Sequence, residues 1–529
     1  MEKYVIMDKY FDGNKINMSL KVFKIEDGII TGYTNPENLD SDGIKNSNAY
    51  IDLRGKFVTP GLIDSHDHFT LTSLKLKYQI DFSSVRSFDD FKQILIENKD
   101  KIIHGWLQGY GINEYNMKEK RLPDKKIIDE IYSDIPVFIT QMTEHYGISN
   151  SRAMEIANIE KNTESPPNSK IGRFSDGNPN GILYEANAMD LVKRKIPEYN
   201  KEDYVEAIRF GSEQYINFGI SAVKDIGGTG KDINEETRIN AINELAERNE
   251  LKLRIAIALP VYSINDVKKK IELSKMVKEN KIVKFAGFKM FLDGSILSKT
   301  AWMKNFYADG QDNKGISLWD LEQFKKALQE LSGTGHPVSI HVIGDKAIET
   351  ALDCIEELNN AGKASKYNLI HCYKLNGEII NRIKRLNVNI ETQLAFLYFI
   401  GDAISDNIGP DQSKCLFPLR TLMEKKIHVS NGSDSPVTPF NPIYGIYSSM
   451  YRRTITGKNE QVYSGQEEID LTSALKTYTK ESSETIGWEQ IGSLEEGKMA
   501  DFTVWPEDPE NTGNDLENWL KMKLKVCRA

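Results

Sequence analysis

The sequence predicts an α/β fold: a (β/α)8 TIM-type barrel with a composite β-sandwich drawn from both termini and a region inserted within the barrel. Three observations carry that expectation. Short apolar runs alternate with amphipathic stretches through the middle of the chain, the two ends share a different, turn-rich strand style, and one long segment fits neither rhythm.

The N-terminal element comes first. "KYVIMDKYFDG", "SLKVFKIEDGIITGY" and "AYIDLRGKFVTPG" are short alternating segments separated by Asp, Gly and Asn turns. Near the other end, "GSLEEGKMADFTVWPEDP" repeats the style. Residues 1–58 and 481–529 are therefore expected to be the two halves of one sandwich, flanking a barrel over 59–480.

The barrel elements follow in order. "SAVKDIGG", "KLRIAIALPV", "FAGFKMFLDG", "HPVSIHVIGD", "YNLIHCY", "NVNIETQLAF" and "KIHVSNGSDSP" are strand-like, and helical stretches such as "LEQFKKALQELSG" lie between most of them. This many strand–helix alternations favour a closed parallel barrel over an open sheet. Residues from about 80 to about 200, with the polar "KNTESPPNSKIGRFSDGNPNG", break the pattern and are read as an insertion after the first barrel strand. No internal repeat is found.

Composition bounds the function. At 529 residues the chain exceeds one ordinary core, and 40% hydrophobic with 27% charged residues is the balance of a folded soluble protein rather than a disordered one. The charge of −9 is spread along the chain, and basic clusters alternate with acids, so nucleic acid is not an expected partner. No apolar run approaches the roughly 18 residues of a membrane span, and the first residues lack a basic start followed by an apolar stretch, so a cytoplasmic enzyme is expected. Cys354, Cys372, Cys415 and Cys527 are far apart, with no C-x-x-C pair, and read as reduced bystanders.

The chemistry concentrates at strand ends. In "TPGLIDSHDHFT" an extended strand sends His66 and His68 to one side and Asp67 to the other, so one cation can bind both rings. Further along, Lys289, His341, His371 and Asp434 each close a strand-like run, where barrel loops build active sites. A lone histidine is more often structural, and His104, His336 and His428 are read so; His66, His68, His341 and His371 stand apart as an ordered set. Asp293 and Asp345 follow strands closely, and capping the next helix explains either. Asp434 could equally be a turn former, and Lys289 an ordinary ion-paired lysine.

The order H-x-H, Lys, His, His, Asp resembles the amidohydrolase superfamily from end to end, and within it the YtcJ-like branch, amidohydrolase family 3, which includes N-substituted formamide deformylases. "WLQGYG", "HYGISNSRAM", "GNPNGILYEA", "FKMFLDGS" followed by "TAW", "HVIGDKA" and "GSDSPVTPFNP" carry the likeness. The resemblance implies two divalent metal ions, zinc foremost with iron or manganese as alternatives. It implies His66 and His68 on the buried metal, His341 and His371 on the second, and Asp434 touching metal and water. Lys289 sits where many members carry a carbamate that bridges both metals. The insertion tends to form a lid, which makes His145, Glu185, Trp106 and Trp302 candidate substrate contacts, although large aromatics are more often core.

The expected activity is hydrolysis of a carbon–nitrogen bond other than a peptide bond, an N-acyl or N-formyl amide in a small organic molecule, by metal-bound hydroxide. Asp434 would take the proton and pass it to the departing amine. A deaminase of the same superfamily is the rival, but such members place a glutamate soon after the histidine standing here as His341, and "HVIGDKAIE" puts Glu349 well beyond it. A non-catalytic regulatory protein on the same barrel would have lost ligands, and all six positions are intact. A homodimer is the expected assembly.

Overall fold

The computed structural model describes residues 2–37, 49–142, 145–228, 232–463 and 465–529. They divide into two compact units, Met1–Leu71 with Ser212–Ala529, and Thr72–Gly211.

The first unit contains an eight-stranded, all-parallel sheet. Its strands are β1 (Leu62–Asp67), β2 (Ile220–Asp225), β3 (Arg254–Val261), β4 (Val283–Phe291), β5 (Val338–Val342), β6 (Tyr367–His371), β7 (Asn389–Thr392) and β8 (Val429–Asn431), in that spatial order. The strands read as continuous apolar runs because both faces are covered; every residue of β3 is buried. Helices between them bury one face, as Leu321–Ser332 does with Phe324, Ala327, Leu328 and Leu331. The sheet is the predicted TIM-type barrel, nearly closed.

Hydrogen bonds bring β1 and β8 together. Ser65 Oγ donates to the Asn431 carbonyl at 3.0 Å, and the Asp434 amide donates to the His66 carbonyl at 2.8 Å. Gly432 permits this approach, because a Cβ there would lie 2.6 Å from the His66 nitrogen. Two irregularities aim the site residues. The β1–β2 register shifts between Asp64 and Asp67, and the β3–β4 register shifts so that Ala258 pairs Gly287 after Ile257 pairs Phe285. The second bulge lets Ala286 join the barrel cluster with Ile63, Ala222 and Ala256 while Lys289, three positions on, also faces His66.

The termini form the expected sandwich. One sheet runs Ile29–Thr34, Lys21–Glu26, Glu2–Met7, Tyr50–Asp52; the other runs Lys525–Arg528, Asp501–Trp505, Phe57–Pro60, Lys9–Phe11, Ile16–Asn17. Val5, Phe23, Ile30, Val58 and Phe502 share a core between them. The C-terminal contribution starts later than residue 481: Ile486, Trp488 and Ile491 bury themselves against barrel strands, and Leu494 is the first to reach the sandwich core.

The second unit has a six-stranded mixed sheet, ordered Lys170–Arg173, Pro179–Tyr184, Tyr146–Ser149, Val137–Gln141, Leu107–Ile112, Gln79–Asp81, with an apolar core on each side. Its bounds, 72 and 211, are wider than the insertion read from sequence because the helices Phe69–Tyr78 and Lys201–Ile216 carry the chain into and out of it. Among the described residues no helix is long and apolar enough to cross a membrane, and the cysteines are unpaired.

Candidate metal centre

All six strand-end residues stand at the C-terminal ends of β1, β4, β5, β6 and β8. His66 and His68 both point their Nε2 atoms at Asp434 Oδ1, at 3.5 and 3.3 Å. Lys289 Nζ lies 3.1 Å from His66 Nε2, and His371 Nε2 lies 3.0 Å from His341 Nδ1. One ligand atom each from His66, His371 and Asp434 falls within a mutual 4.8 Å.

Each imidazole has one nitrogen tied to an acceptor, which settles its tautomer. His66 Nδ1–H donates to Glu391 Oε2 at 3.2 Å, and His68 Nδ1–H to the Gly227 carbonyl at 2.8 Å. His341 Nε2–H donates to the Gly294 carbonyl at 3.1 Å. His371 Nδ1–H donates to Gln393 Oε1 at 2.6 Å, and the Gln393 amide is oriented by its own donation to the Glu391 carbonyl at 3.2 Å. The second nitrogen of every ring is left with its lone pair facing the site, as metal-binding histidines require.

Burial reinforces that state. It drives the His66 and His371 pKa values down, most for His371, and carries His341 to about 3 with help from the Lys289 charge, so these rings are neutral near pH 7. Asp434 is held well below its usual range against the opposition of burial, with the His66 and His68 Nε2 atoms the nearest groups to its Oδ1. Lys289 is pushed down to about 8 by burial, against the pull of Asp434 and Glu391, so an appreciable share is free amine at neutral pH. Asp434 and His371 hold left-handed backbone conformations, φ 56° and 70°, as strained residues at functional sites often do.

The donor set fits a divalent cation. Asp434 Oδ1 is buried without a hydrogen-bond partner, and the nearest nitrogens offer it lone pairs rather than protons. An anionic oxygen among lone pairs is electrostatically incomplete, and imidazole with carboxylate is a set that zinc, iron and manganese accept.

Each remaining candidate contact has partners of its own. His145 Nδ1 pairs with Glu185 Oε2 at 3.0 Å in the second unit, both half exposed, with Glu185 at φ 65°. Trp106 is buried in that unit's core with Phe138, Met154 and Leu183, so packing takes up its ring. Trp302, in the first unit, is partly buried; its amide donates to Asp293 Oδ2, and its carbonyl accepts the Lys346 and Ala347 amides. Asp293 does not cap a helix: it accepts the Ile343, Gly344 and Trp302 amides, bracing the loops after β4 and β5, and burial raises it to about 7. The other histidines are occupied: His104 by Asp203 at 2.7 Å, His336 by the Phe285 ring, and His428 by Glu481 at 2.6 Å.

Sequence reading missed Lys224 and Glu391. Each is a charged residue inside an apolar strand run, a signal that was available in "SAVKDIGG" and "NVNIETQLAF".

Comparison with known proteins agrees with this geometry. The amidohydrolase family matches residues 49–515. YtcJ of Bacillus subtilis (strain 168) is 28% identical over 492 residues, 92% of this chain and 90% of that protein. N-substituted formamide deformylase of Arthrobacter pascens is 23% identical over 469 residues, covering 87% of this chain and 85% of its own. Among solved structures, an uncharacterized metal-dependent hydrolase from Pyrococcus horikoshii OT3 superimposes with a TM-score of 0.78 at 22% identity, over 96% of this chain and 98% of that one. With the family spanning the whole barrel and part of each sandwich half, the chain belongs to the amidohydrolase family, in its YtcJ-like family 3 branch, and is a hydrolase.

Proposed function

We propose that this protein hydrolyses a carbon–nitrogen amide-type bond, N-formyl or N-acyl, in a small organic molecule, using divalent metal at the barrel mouth. The observation that carries the reading is the convergence of imidazole lone pairs on the partnerless Asp434 oxygen. His66, His68 and Asp434 would hold one cation and His341 with His371 the other, with Lys289, as its carbamate, between them. Bound there, a divalent ion polarises a carbonyl and brings the pKa of water near neutrality.

The chain's own groups do the rest. Asp434, ionised and buried, accepts a proton from the attacking water and returns it to the leaving nitrogen. The tied tautomers keep the four rings oriented through the cycle. Lys289 supports the carbamate assignment because its lowered pKa leaves a neutral amine whose lone pair can attack carbon dioxide, losing a proton to give the carbamate. Glu349 supports an amide over a deaminase reading: it sits on helix Asp345–Asn360 and is engaged by Lys304 at 2.7 Å. The amide class rests on the family and on the formamide-cleaving relative.

The test is elemental analysis of the purified protein, followed by a panel of N-formyl, N-acetyl and cyclic amides assayed on the Zn2+-, Mn2+- and Fe2+-loaded forms. Close to two metal equivalents and turnover of one amide class are expected. Protein that takes up no transition metal, or loaded protein active only on esters, overturns the reading.

A further inference from the structure

Beneath the site, inside the barrel, lies a closed polar layer. Lys224 on β2 and Glu391 on β7 are both fully buried and paired at 2.6 Å. Glu391 Oε1 accepts from Lys224 Nζ and from Ser339 Oγ at 2.8 Å, while its Oε2 accepts from His66 Nδ1. Ser339 Oγ is in turn held by Lys224 at 2.8 Å and by Asn368 Nδ2 at 3.1 Å, and Asn389 Nδ2 donates to Asn368 Oδ1 at 3.0 Å. Four side chains from β2, β5, β6 and β7, Lys224, Ser339, Asn368 and Asn389, are thus linked to one carboxylate, Lys224 and Ser339 directly, and its other oxygen meets a proposed metal ligand.

Such a layer is a poor way to gain stability. Removing two charges from water is costly, and well-packed apolar residues of similar volume usually serve a core as well or better. The arrangement makes sense as orientation. A carboxylate can only accept, so Glu391 forces the His66 proton onto Nδ1 and leaves Nε2 bare toward Asp434 and Lys289. Lys224 and Ser339 occupy the other oxygen, so the carboxylate cannot rotate away.

We propose that Lys224 and Glu391 form a positioning pair for the metal centre, holding His66 in the tautomer and pose that bind the cation and lending it anionic support from behind. This rests on the metal-centre reading above. His66 is the ring flanked by both Asp434 and Lys289, so its pose governs how those two groups meet the metal. The pair touches neither substrate nor the reacting atoms.

The test measures Zn2+ affinity by chelator competition in the full-length protein, together with the Co2+ absorption spectrum and the melting temperature without metal. Lys224→Met/Glu391→Leu removes the pair without stranding a charge. It is expected to melt close to wild type when metal-free, to bind Zn2+ about 100-fold more weakly, and to show an altered Co2+ spectrum. Lys224→Met/Glu391→Gln restores an acceptor for Nδ1–H and is expected to regain about half of that loss on a logarithmic scale. Zn2+ affinity of the Met/Leu protein within about twofold of wild type overturns the proposal. Should neither double variant fold, Ser339→Ala decides: a few-fold weaker Zn2+ binding supports the pair's role, and unchanged affinity overturns it. A wild-type protein that takes up no Zn2+ fails the metal-centre reading itself and takes this inference with it.

Discussion

His341 Nδ1 and His371 Nε2 face each other at 3.0 Å, and neither has a proton to give: the His341 proton is committed to the Gly294 carbonyl and the His371 proton to Gln393. Two opposed lone pairs in a buried site repel. Protonating one ring would relieve the contact, but burial holds both pKa values far below neutrality. A cation is the remaining solution. Exhaustive chelation should therefore lower the melting temperature, and restoring Zn2+ should raise it. Free metal at a hundredfold excess over Kd corresponds to about 2.7 kcal/mol of stabilisation. A melting temperature indifferent to chelator and metal would contradict the arrangement.

Asp434→Asn separates binding from proton transfer. The amide keeps an oxygen for the cation but cannot take up a proton, so metal content should stay near wild type while kcat falls roughly 100- to 10,000-fold with little change in KM. Elemental analysis and steady-state kinetics on the same preparation decide it. Retained turnover would remove Asp434 from the proton-transfer role.

Lys289 gives a prediction readable without substrate. Its side chain is buried, 3.1 Å from His66, with the pKa lowered to about 8. Equilibration with 13C-bicarbonate and Zn2+ should produce a protein-bound carbamate resonance that is absent in Lys289→Met, and the variant should hold about one metal equivalent rather than two. A wild-type spectrum without that resonance would leave Lys289 as an amine.

The sequence displayed some of this site and hid the rest for identifiable reasons. His66 and His68 were legible because strand alternation puts them on one side whatever surrounds them, and the barrel was legible because parallel strands buried on both faces read as unbroken apolar runs. Lys224 and Glu391 were visible as charges in such runs, yet nothing along the chain joins residues 167 positions apart. The Gly227 and Gly294 carbonyls that set two tautomers are backbone atoms with no side-chain signature. The bulge at Ala286–Gly287 also went unread: simple alternation sends Ala286 and Lys289 to opposite faces, and only the register shift brings both inward. Trp106 illustrates the converse limit, since an aromatic in a pocket and one in a core look alike until burial is known.

Outside the metal centre, His428 supplies a pH-dependent element of stability. Its Nδ1 lies 2.6 Å from Glu481 and 3.4 Å from Glu484, and its Nε2 reaches the Glu481 carbonyl at 2.8 Å and Thr485 Oγ1 at 2.9 Å. Acceptors therefore meet both ring nitrogens, which suits the imidazolium. Burial opposes that charge, but the bond to Glu481 and the two carboxylates prevail and raise the pKa above 6.5. A raised folded-state value means the folded protein binds the proton more tightly than the unfolded chain. The contribution is then complete below the unfolded pKa of about 6.5 and disappears as pH climbs through the higher folded value. His428→Gln should accordingly cost about 2 kcal/mol near pH 5.5, the scale of a charge-assisted hydrogen bond, and much less near pH 9. Urea midpoints of wild type and variant, measured with metal held constant, give the comparison. A gap that widens toward alkaline pH would reverse the sign and reject the imidazolium pair.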